Sequence, residues 1–506
     1  MNLPIRLAEI ARVSPGQEAI VFQNRRMTYA QLDTRVSQLA GGMRQLGVKP
    51  GDRVLLALGN CPEFVIAYYA VLRLKGIVVP VSPIYTLNEI GVISKDCQPA
   101  LIITAPELQP TFSKLKESID IPHGMIVNGD NLENTDFLSF EQVYNKGVNA
   151  FPETKYNRED VAVLMYTAGS SRKPKGAMLT NFNMYSNALT HSQLCGMGPS
   201  DRLLLTAPVY HIGAQTSIMN SAVVAGATLV IQEGWRGAEA LLKIIQEEKV
   251  TFFFGTPTMY KFIADFPDLE NYDVGSLRIA FTAAASMPAD LYDEFRNKTN
   301  LYLTEGYGLT ETSPVVTMNF IEKSGKQGSI GTPIPGVEVK IFDYEDREVP
   351  QGQVGEIVVR GPNVMLGYYN REEETRWALR SGWFHTGDLA YADPDGYLYI
   401  VDRKKDLIIR GGVNINPREV EDVLYSHPAI FDVAVIGVPD AVMGEELLAL
   451  IMVRKGHELS DEDIKEFCKG KIAKYKIPRY YRFVSSLPKT ASGKLMRKEL
   501  QTWISK

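Results

Sequence analysis

A loop rich in hydroxyls, glycines and cations follows a strongly apolar segment about a third of the way along the chain. Residues 161–166 read Val-Ala-Val-Leu-Met-Tyr, which predicts a buried strand. Residues 167–176 follow as Thr-Ala-Gly-Ser-Ser-Arg-Lys-Pro-Lys-Gly. Backbone N–H groups and hydroxyls at a strand end can surround phosphate oxygens, while lysines neutralise their charge. Pro174 stands where a Walker-type loop requires its second glycine, so the pattern indicates another kind of polyphosphate site. A polar surface turn would explain the loop, taken alone, equally well.

Two further segments combine oxygen ligands with glycine. Residues 305–311 read Glu-Gly-Tyr-Gly-Leu-Thr-Glu, a set that can stack a base, contact a phosphate and hold a hard metal ion. Residues 383–388, Trp-Phe-His-Thr-Gly-Asp, end in a carboxylate that can accept hydrogen bonds from both hydroxyls of a ribose. A capped helix start would explain the first segment, and a solvated turn aspartate the second, so neither segment alone defines a site.

Two single residues could add chemistry to these segments. Residues 488–494 read Pro-Lys-Thr-Ala-Ser-Gly-Lys, and a glycine-containing loop of this kind could bring the charge of Lys494 to a carboxylate and a leaving phosphate. A lysine in a tail is, however, most often only solvated. His211 follows the apolar segment 204–210, where a lone histidine is usually a core or turn residue.

The elements that must position these residues alternate between helix and strand. Residues 28–31 fit a capping box, and the apolar spacing over 32–46 predicts one helical face. A strand, a helix and a second strand are predicted over 54–81, and the same alternation returns over 228–254. This rhythm indicates α/β layers around mostly parallel sheets, whereas the glycine- and proline-punctuated strands after Gly331 indicate a small β-rich unit.

Length, composition and charge narrow the class of protein. At 506 residues the chain exceeds one ordinary core, since domains hold about 100–200 residues. A net charge of −5 disfavours a general nucleic-acid binder. Four widely spaced cysteines suit neither a metal knuckle nor a disulfide scaffold. The longest apolar run, 64–72, is half the length of a bilayer span, and the N-terminus has no secretory layout, so we expect a cytoplasmic protein without a transmembrane segment.

Read jointly, these segments resemble the acyl-adenylate-forming superfamily of AMP-dependent synthetases and ligases, particularly bacterial fatty acyl-CoA synthetases and 4-coumarate–CoA ligases. The loop at 167–176 is similar to the family's phosphate-binding signature, Tyr-Thr-Ser-Gly-Thr-Thr-Gly-x-Pro-Lys-Gly. Its departures from that signature are Ala168, Ser170, Ser171 and Arg172. The matches run in the family's order from Tyr166 to Lys494. The resemblance therefore covers essentially the whole chain and disfavours each local alternative.

The resemblance implies a nucleotide site. Tyr307 would stack on adenine, Thr310 would bond the α-phosphate, and Glu311 with Thr167 would hold Mg²⁺. Asp388 would bind the ribose with help from Arg403. The other residues implied in nucleotide binding are Gly169, Ser170, Ser171, Lys175, Ala283, Ala284, Ala285, Glu305, Gly306 and Gly308.

It also implies a moving second domain. Lys494 is similar to the lysine needed for adenylation, and His211 to the histidine that closes the acyl pocket, so the candidate catalytic residues are Lys494, Thr310, Glu311 and His211. Lys405 matches the pivot of the hinge. Gly411 and Gly412 belong to the stretch that lines the pantetheine channel, where glycine lets a thin chain pass close to the backbone.

The implied fold is α/β. A large N-terminal domain over 1–401 would contain two α/β subdomains and a small β-barrel-like subdomain, and a mobile α+β C-terminal cap would cover 402–506, with the hinge at about 402–406. The last domain carries 19 Lys+Arg against 15 Asp+Glu, which suggests an anionic partner, although ordinary charge drift explains this equally well.

The implied reaction is activation of a carboxylic acid to acyl-AMP with ATP and Mg²⁺, followed by thioester formation with CoA and release of AMP. A small-molecule acid, ATP and CoA are then the partners, with no nucleic acid, and a homodimer stays open. An enzyme that loads a carrier protein, a luciferase-like oxygenase and a catalytically silent nucleotide sensor are the rival interpretations.

The acyl group is predicted from two segments. Hydroxycinnamate ligases usually carry an aromatic residue where Gly213 stands, so glycine should lengthen or widen the pocket. Neither 211–217 nor 308–315 contains a lysine or arginine to pair with a second carboxylate. We therefore expect a medium- to long-chain fatty acid, with a benzoate- or coumarate-type aromatic acid as the alternative. A bulky residue from elsewhere could compensate for Gly213.

Overall fold

A computed structural model provides the coordinates of most of the chain. It describes residues 2–129, 137–148, 155–167, 174–283, 287, 289–320, 325–403, 408–410, 413–415, 417–440, 442–489 and 495–503. Of the helices within these ranges, none has both the length and the apolar character that a bilayer span requires.

The strands of the described ranges are, in chain order, β1 (Glu18–Phe22), β2 (Arg25–Thr28), β3 (Arg53–Ala57), β4 (Ile77–Pro80), β5 (Leu101–Thr104), β6 (Met125–Val127), β7 (Phe137–Ser139), β8 (Val161–Thr167), β9 (Lys175–Thr180), β10 (Arg202–Leu205), β11 (Thr228–Ile231), β12 (Phe252–Gly255), β13 (Ile279–Thr282), β14 (Leu303–Gly308), β15 (Val315–Phe320), β16 (Thr332–Pro333), β17 (Glu338–Phe342), β18 (Gly355–Arg360), β19 (Gly367–Tyr368), β20 (Phe384–Ala392), β21 (Leu398–Arg403), β22 (Ile408–Arg410), β23 (Val413–Ile415), β24 (Ile430–Asp440), β25 (Gly444–Val453) and β26 (Tyr480–Phe483).

The α-helices of the same ranges are α1 (Leu3–Val13), α2 (Tyr29–Gln45), α3 (Pro62–Arg73), α4 (Leu87–Cys97), α5 (Gln109–Lys116), α6 (Phe140–Tyr144), α7 (Asn181–Leu194), α8 (Ser221–Ala225), α9 (Ala238–Glu247), α10 (Pro257–Ala264), α11 (Ala289–Thr299), α12 (Glu372–Ala378), α13 (Pro417–Tyr425), α14 (Asp461–Cys468) and α15 (Arg497–Thr502). A π-helix covers Ala214–Asn220, and 3-10 helices cover Pro106–Leu108, Leu269–Asn271, Thr310–Thr312, Arg380–Gly382 and Lys474–Lys476.

Local sequence explains why the first elements form. Thr28 caps α2, since its hydroxyl accepts from the N–H of Gln31 while the Gln31 side chain accepts from the Thr28 N–H. This is the predicted capping box. Each residue of α3 from Phe64 to Arg73 is buried, because its apolar run packs between other layers. The strand–helix–strand prediction over 54–81 is therefore confirmed.

Two large sheets, both mostly parallel, form the bulk of the described chain. One has the order β19-β9-β8-β4-β3-β5-β6-β7, and the other β16-β15-β14-β13-β12-β10-β11-β1-β2. Antiparallel pairs lie at the edges of these sheets, namely β8–β9–β19 in the first and both β14–β15–β16 and β1–β2 in the second. One hydrophobic core joins Leu56 and Val163 of the first sheet to Leu205 and Phe281 of the second. The two sheets thus share the helices packed between them.

Two smaller sheets follow. The predicted β-rich unit after Gly331 is an antiparallel sheet of order β17-β18-β20-β21, and the C-terminal residues form a sheet of order β23-β22-β25-β24 with β26 paired to β25. The first of these ends with β21 at Arg403 and the second begins with β22 at Ile408. The hinge prediction at 402–406 lies at this change of sheet, but residues 404–407 are outside the described residues, so it stays a prediction.

Candidate active site

The phosphate side of the site is built at the ends of β8 and β9. Thr167 ends β8 and pairs in register with Lys175, the first residue of β9. The turn between these strands contains Gly169, Ser170 and Ser171, which lie outside the described residues. The Nζ of Lys175 is 5.2 Å from the centroid of the Tyr368 ring, a cation–π distance. The strand pairing therefore brings a hydroxyl, a cation and an aromatic ring together beside the predicted polyphosphate loop.

Glu311 lies on this side of the site as well. The Tyr368 hydroxyl donates to Oε1 of Glu311 at 2.8 Å, and the N–H of Met365 donates to the Glu311 carbonyl at 2.8 Å. Among the described residues no cluster of three or more acidic, histidine or cysteine side chains could hold a metal ion. Mg²⁺ typically takes only one or two carboxylates, with phosphate oxygens and waters completing its shell. The donor set at Glu311 therefore fits Mg²⁺ bound together with a nucleotide.

The predicted base and ribose residues contact each other. The Tyr307 hydroxyl donates to Oδ2 of Asp388 at 2.7 Å, and Asp388 is buried. Asp388 in β20 pairs in register with Arg403 in β21, although the Arg403 side chain is outside the described residues. The two strands thus place the backbone positions of Asp388 and Arg403 opposite each other.

A buried carboxylate supports the turn before Asp388. Oε1 of Glu356 accepts from the Gly387 N–H at 2.9 Å, and its Oε2 lies 3.2 Å from Nδ1 of His385. The Asp388 N–H donates to the Thr386 hydroxyl at 3.1 Å. Glu356 therefore fixes the backbone that presents Asp388, a role that the sequence did not indicate.

Close packing requires both glycines of the 305–311 segment. A Cβ on Gly308 would lie 1.8 Å from the Pro314 carbonyl oxygen, and one on Gly306 would lie 2.5 Å from the Phe281 ring. Ala283 follows β13 beside this strand and packs against the core. Ala284 and Ala285 lie outside the described residues, so their part in nucleotide binding stays a prediction.

The Glu305 carboxylate is paired with a tyrosine of the protein. It is buried, and the Tyr292 hydroxyl of α11 donates to Oε2 of its carboxylate. Burial raises the pKa of Glu305 to about 7, while the Tyr292 hydroxyl and the charge of Arg418 in α13 act in the opposite direction. Its predicted part in nucleotide binding stays a prediction.

His211 lines a small cavity next to Thr310. Ser82, Tyr85, Tyr166 and Tyr210 also line it. The His211 ring packs 5.0 Å from the Tyr210 ring. Burial lowers the pKa of His211 and so favours the neutral ring. A carboxylic acid next to Thr310 would therefore meet an uncharged imidazole.

The Phe254 ring of β12 lies next to Gly213. A Cβ on Gly213 would lie 3.6 Å from the Phe254 ring, which is an ordinary contact distance. An aromatic wall is therefore present beside Gly213, supplied by another strand. This is the compensation that the sequence analysis left open, and it removes the main reason to expect a longer pocket from Gly213 alone.

The described structure brings together one part of the predicted site and leaves another part undescribed. Thr167, Lys175, Thr310, Glu311, Tyr307, Asp388 and His211 lie at neighbouring strand ends and turns. Lys405, Gly411, Gly412 and Lys494 lie outside the described residues. Sequence reasoning missed Tyr368, Glu356 and Phe254; a tyrosine pair after the glycine of β19 was the only signal available for the first.

Comparison with known proteins decides the family. The model of the AMP-binding enzyme family matches residues 7–369, and that of the AMP-binding enzyme C-terminal domain matches residues 419–494. The chain belongs to the AMP-binding enzyme family. The predicted domain boundary at 401/402 falls between the two matches and stays a prediction.

Similar members of the family include ligases for different acids. A long-chain-fatty-acid–CoA ligase of Bacillus subtilis is 36% identical over 98% of this chain and 93% of its own length. A feruloyl-CoA synthase of Amycolatopsis is 35% identical over 97% of this chain and 96% of its own. The solved anthranilate CoA ligase AuaEII, in complex with anthranoyl-AMP, has a TM-score of 0.92 at 28% identity, with 99% of this chain and 97% of that chain covered.

A further solved relative binds the nucleotide that the sequence predicted. ATP-bound MatB from Rhodopseudomonas palustris has a TM-score of 0.91 at 29% identity, and the match covers 99% of both chains. The family, the α/β fold with a smaller C-terminal domain, and an acid–thiol ligase activity are confirmed as predicted. The expected use of ATP, Mg²⁺ and CoA is confirmed with them.

Proposed function

We propose that the protein is an AMP-forming acyl-CoA synthetase whose preferred acid is a medium- to long-chain fatty acid. The observation that carries this proposal is the position of Thr310 and Glu311, neighbours on one 3-10 turn. Thr310 lines the cavity of His211, and Glu311 accepts from Tyr368 on the phosphate side. A carboxylate bound in that cavity would therefore lie against the α-phosphate of an ATP held at Lys175 and Asp388.

In the first half-reaction a carboxylate oxygen of the acid attacks the α-phosphorus of ATP, and pyrophosphate leaves. Lys175 lies where it would neutralise phosphate charge, and Asp388 would accept from the ribose hydroxyls and fix the nucleotide. Glu311 and Thr167 would hold Mg²⁺, which offsets the charge of the phosphate oxygens when bound. The Tyr368 hydroxyl orients Glu311 for that purpose.

In the second half-reaction the thiol of CoA displaces AMP to give the thioester. We assign Lys494 to the first step, where it would neutralise charge on the acid and the leaving pyrophosphate. Rotation about Lys405 would exchange Lys494 for Gly411 and Gly412, which would line the path of the pantetheine arm. The neutral ring of His211 would close the acid cavity. These assignments rest on the resemblance of the motifs.

Four observations bear on the acid, two for each candidate. The B. subtilis relative, a long-chain-fatty-acid–CoA ligase, supports a fatty acid, and the π-helix after His211 buries the apolar residues Ala214, Ile218 and Met219 beside its polar ones. The Phe254 ring beside Gly213 and the feruloyl-CoA synthase relative favour a second candidate, an aromatic acid. An alkyl chain gains about 0.8 kcal/mol per buried CH₂, so longer acids should be preferred until the pocket ends.

An acid panel tests the proposal. We would measure kcat/KM for AMP release with ATP, Mg²⁺ and CoA present, from acetate to palmitate, beside benzoate and 4-coumarate. We expect the values to rise with chain length and to exceed those of both aromatic acids. A preference for either aromatic acid over octanoate and longer chains would overturn the fatty-acid assignment. AMP release that does not depend on any acid would overturn the ligase assignment as well.

The location and the oligomeric state are also proposed. A reducing cytoplasm suits the four cysteines, all of which are free thiols in the structure. We also propose a homodimer, which analytical ultracentrifugation of the purified protein tests directly. A single species of the monomer mass, 56.3 kDa, at micromolar concentration would exclude it.

A further inference from the structure

Gln215 is a buried amide without a partner in the first turn of the π-helix Ala214–Asn220. Its side chain is 0% exposed, and neither its Nε2 nor its Oε1 has a hydrogen-bond partner among the described residues. A glutamine amide can donate two hydrogen bonds and accept two. Leaving all of them unmade in a buried position is costly, and buried polar groups in proteins are therefore normally paired.

Two other polar side chains of this helix, Thr216 and Asn220, have partners. The Thr216 hydroxyl donates to Sδ of Met184 at 3.9 Å, and Asn220 both accepts from the Tyr69 hydroxyl at 3.0 Å and donates to the Tyr68 hydroxyl at 3.3 Å. These contacts are with α7 and α3. The Gln215 amide therefore lacks hydrogen bonds to the described residues because of where it lies, and not because the helix as a whole is loosely packed.

That position adjoins the acid side of the site. The Gln215 N–H donates to the His211 carbonyl at 3.1 Å, so Gln215 lies one helical turn beyond a residue that lines the cavity. Ser82 lines the same cavity, is 5% exposed, and its hydroxyl likewise has no partner in the described part of the chain.

A saturated hydrocarbon tail would leave the Gln215 amide and the Ser82 hydroxyl without hydrogen bonds. An oxygen atom on the tail could form a hydrogen bond with them. We propose that Gln215 is a specificity-determining residue that hydrogen-bonds a hydroxyl or carbonyl oxygen on the acid, so that oxygenated acids are preferred over their plain analogues. This inference rests on the proposed acyl-CoA synthetase activity and refines its substrate class. The oxygen could be carried by an alkyl chain or by an aromatic ring.

The test compares matched acids in matched variants. Wild type, Gln215→Leu and Thr216→Val would be assayed for kcat/KM with decanoate against 3-hydroxy- and 10-hydroxydecanoate, and with cinnamate against 4-coumarate. We expect one oxygenated acid to exceed its plain analogue by at least about tenfold in wild type. Gln215→Leu should lower that preference by about tenfold or more. Thr216→Val removes a buried hydroxyl that already has a partner, so the preference should persist. If the preference appears among the decanoates, an alkyl chain carries the oxygen; if it appears between cinnamate and 4-coumarate, an aromatic ring carries it.

Thermal unfolding separates this inference from the proposed function. Without ligand, Gln215→Leu should unfold at the same or a higher temperature than wild type, because an unpaired buried amide is replaced by an apolar group of similar size. Added oxygenated acid should raise the Tm of wild type more than the plain acid does, and Gln215→Leu should lose that difference. Gln215→Met repeats the test if the leucine variant fails to fold.

Either of two outcomes would overturn the inference. One is equal kcat/KM and equal Tm shifts for the plain and oxygenated acids in wild type, as expected if an internal water satisfies Gln215. The other is an oxygen preference that Gln215→Leu leaves intact. If no acid yields a thioester, the proposed function fails, and the Tm comparison alone still decides the role of Gln215.

Discussion

Tyrosine hydroxyls hold several carboxylates around the site. A phenol donates to a carboxylate oxygen and so fixes its orientation, without introducing a cation that would compete with Mg²⁺ or lysine for it. Two of these carboxylates are ones that the motifs had assigned to metal and ribose binding. The pairs are Tyr368 with Glu311, Tyr307 with Asp388, and Tyr292 with Glu305.

The Tyr368–Glu311 pair yields a prediction at the residue scale. Tyr368→Phe removes the hydroxyl that orients Glu311 and retains the ring beside Lys175. Hydrogen bonds to charged groups contribute about 1.5–3 kcal/mol, so kcat/KM for ATP should fall about tenfold or more at limiting Mg²⁺. Steady-state kinetics over a range of Mg²⁺ concentrations measures this effect. The neighbouring Tyr369→Phe is the matched control, and an equal fall in both variants would contradict the role given to the Tyr368 hydroxyl.

At the scale of elements, the sequence predicted what local patterns determine. The capping box at Thr28, the buried run of α3 and the strand before the polar loop were all confirmed, because each depends on residues close together in the chain. Tyr368 meets Glu311 across 57 positions, and the Phe254 ring of β12 lies next to Gly213. No local pattern encodes such contacts, since they depend on how the strands pair.

The packing of α11 on β14 yields a prediction about pH. Burial raises the pKa of Glu305 to about 7 from an ordinary value of 4.5, so the folded state binds this proton more tightly than the unfolded state does. The stability contributed by the protonated carboxyl is fully present below about pH 4.5 and is lost as pH rises through about 7. Glu305→Gln keeps a neutral side chain, so its Tm relative to wild type should rise across this interval.

Thermal melts of wild type and Glu305→Gln at pH 5 to 8 measure the effect. Tyr292→Phe provides the control. It removes a hydroxyl that lowers the Glu305 pKa, so this variant should lose the stability of the protonated carboxyl at a higher pH than wild type does. A Tm difference between wild type and Glu305→Gln that is constant with pH would contradict a raised Glu305 pKa.

At the scale of the whole molecule, the account requires the two domains to act in turn. The nucleotide and acid residues of the described chain come from the N-terminal matched region and the β20–β21 sheet, whereas Lys494 belongs to the C-terminal domain. The separate sheets that end at Arg403 and begin at Ile408 agree with a division at that point. The two half-reactions should therefore respond differently to changes in the C-terminal domain.

Lys494→Ala tests this division of labour. We expect it to abolish formation of acyl-AMP and to leave thioester formation from supplied acyl-AMP largely intact, because the lysine serves only the first step. Lys489→Ala is the control, since Lys489 in the same segment pairs with Asp432 at 2.6 Å and should have a structural role. If Lys494→Ala folds as well as the control variant and loses both half-reactions to the same extent, the assignment is contradicted.

The path of the carboxylate oxygen tests the central claim most directly. The purified protein would be incubated with ATP, Mg²⁺, CoA and a fatty acid labelled with ¹⁸O in both carboxylate oxygens, and the products analysed by mass spectrometry. If the acid attacks the α-phosphorus, the thiol must later break the bond between the acyl carbon and that oxygen. One ¹⁸O should therefore appear in AMP for each thioester formed, with none in pyrophosphate. Label in inorganic phosphate with formation of ADP, or thioester formed with unlabelled AMP, would contradict an acyl-AMP intermediate.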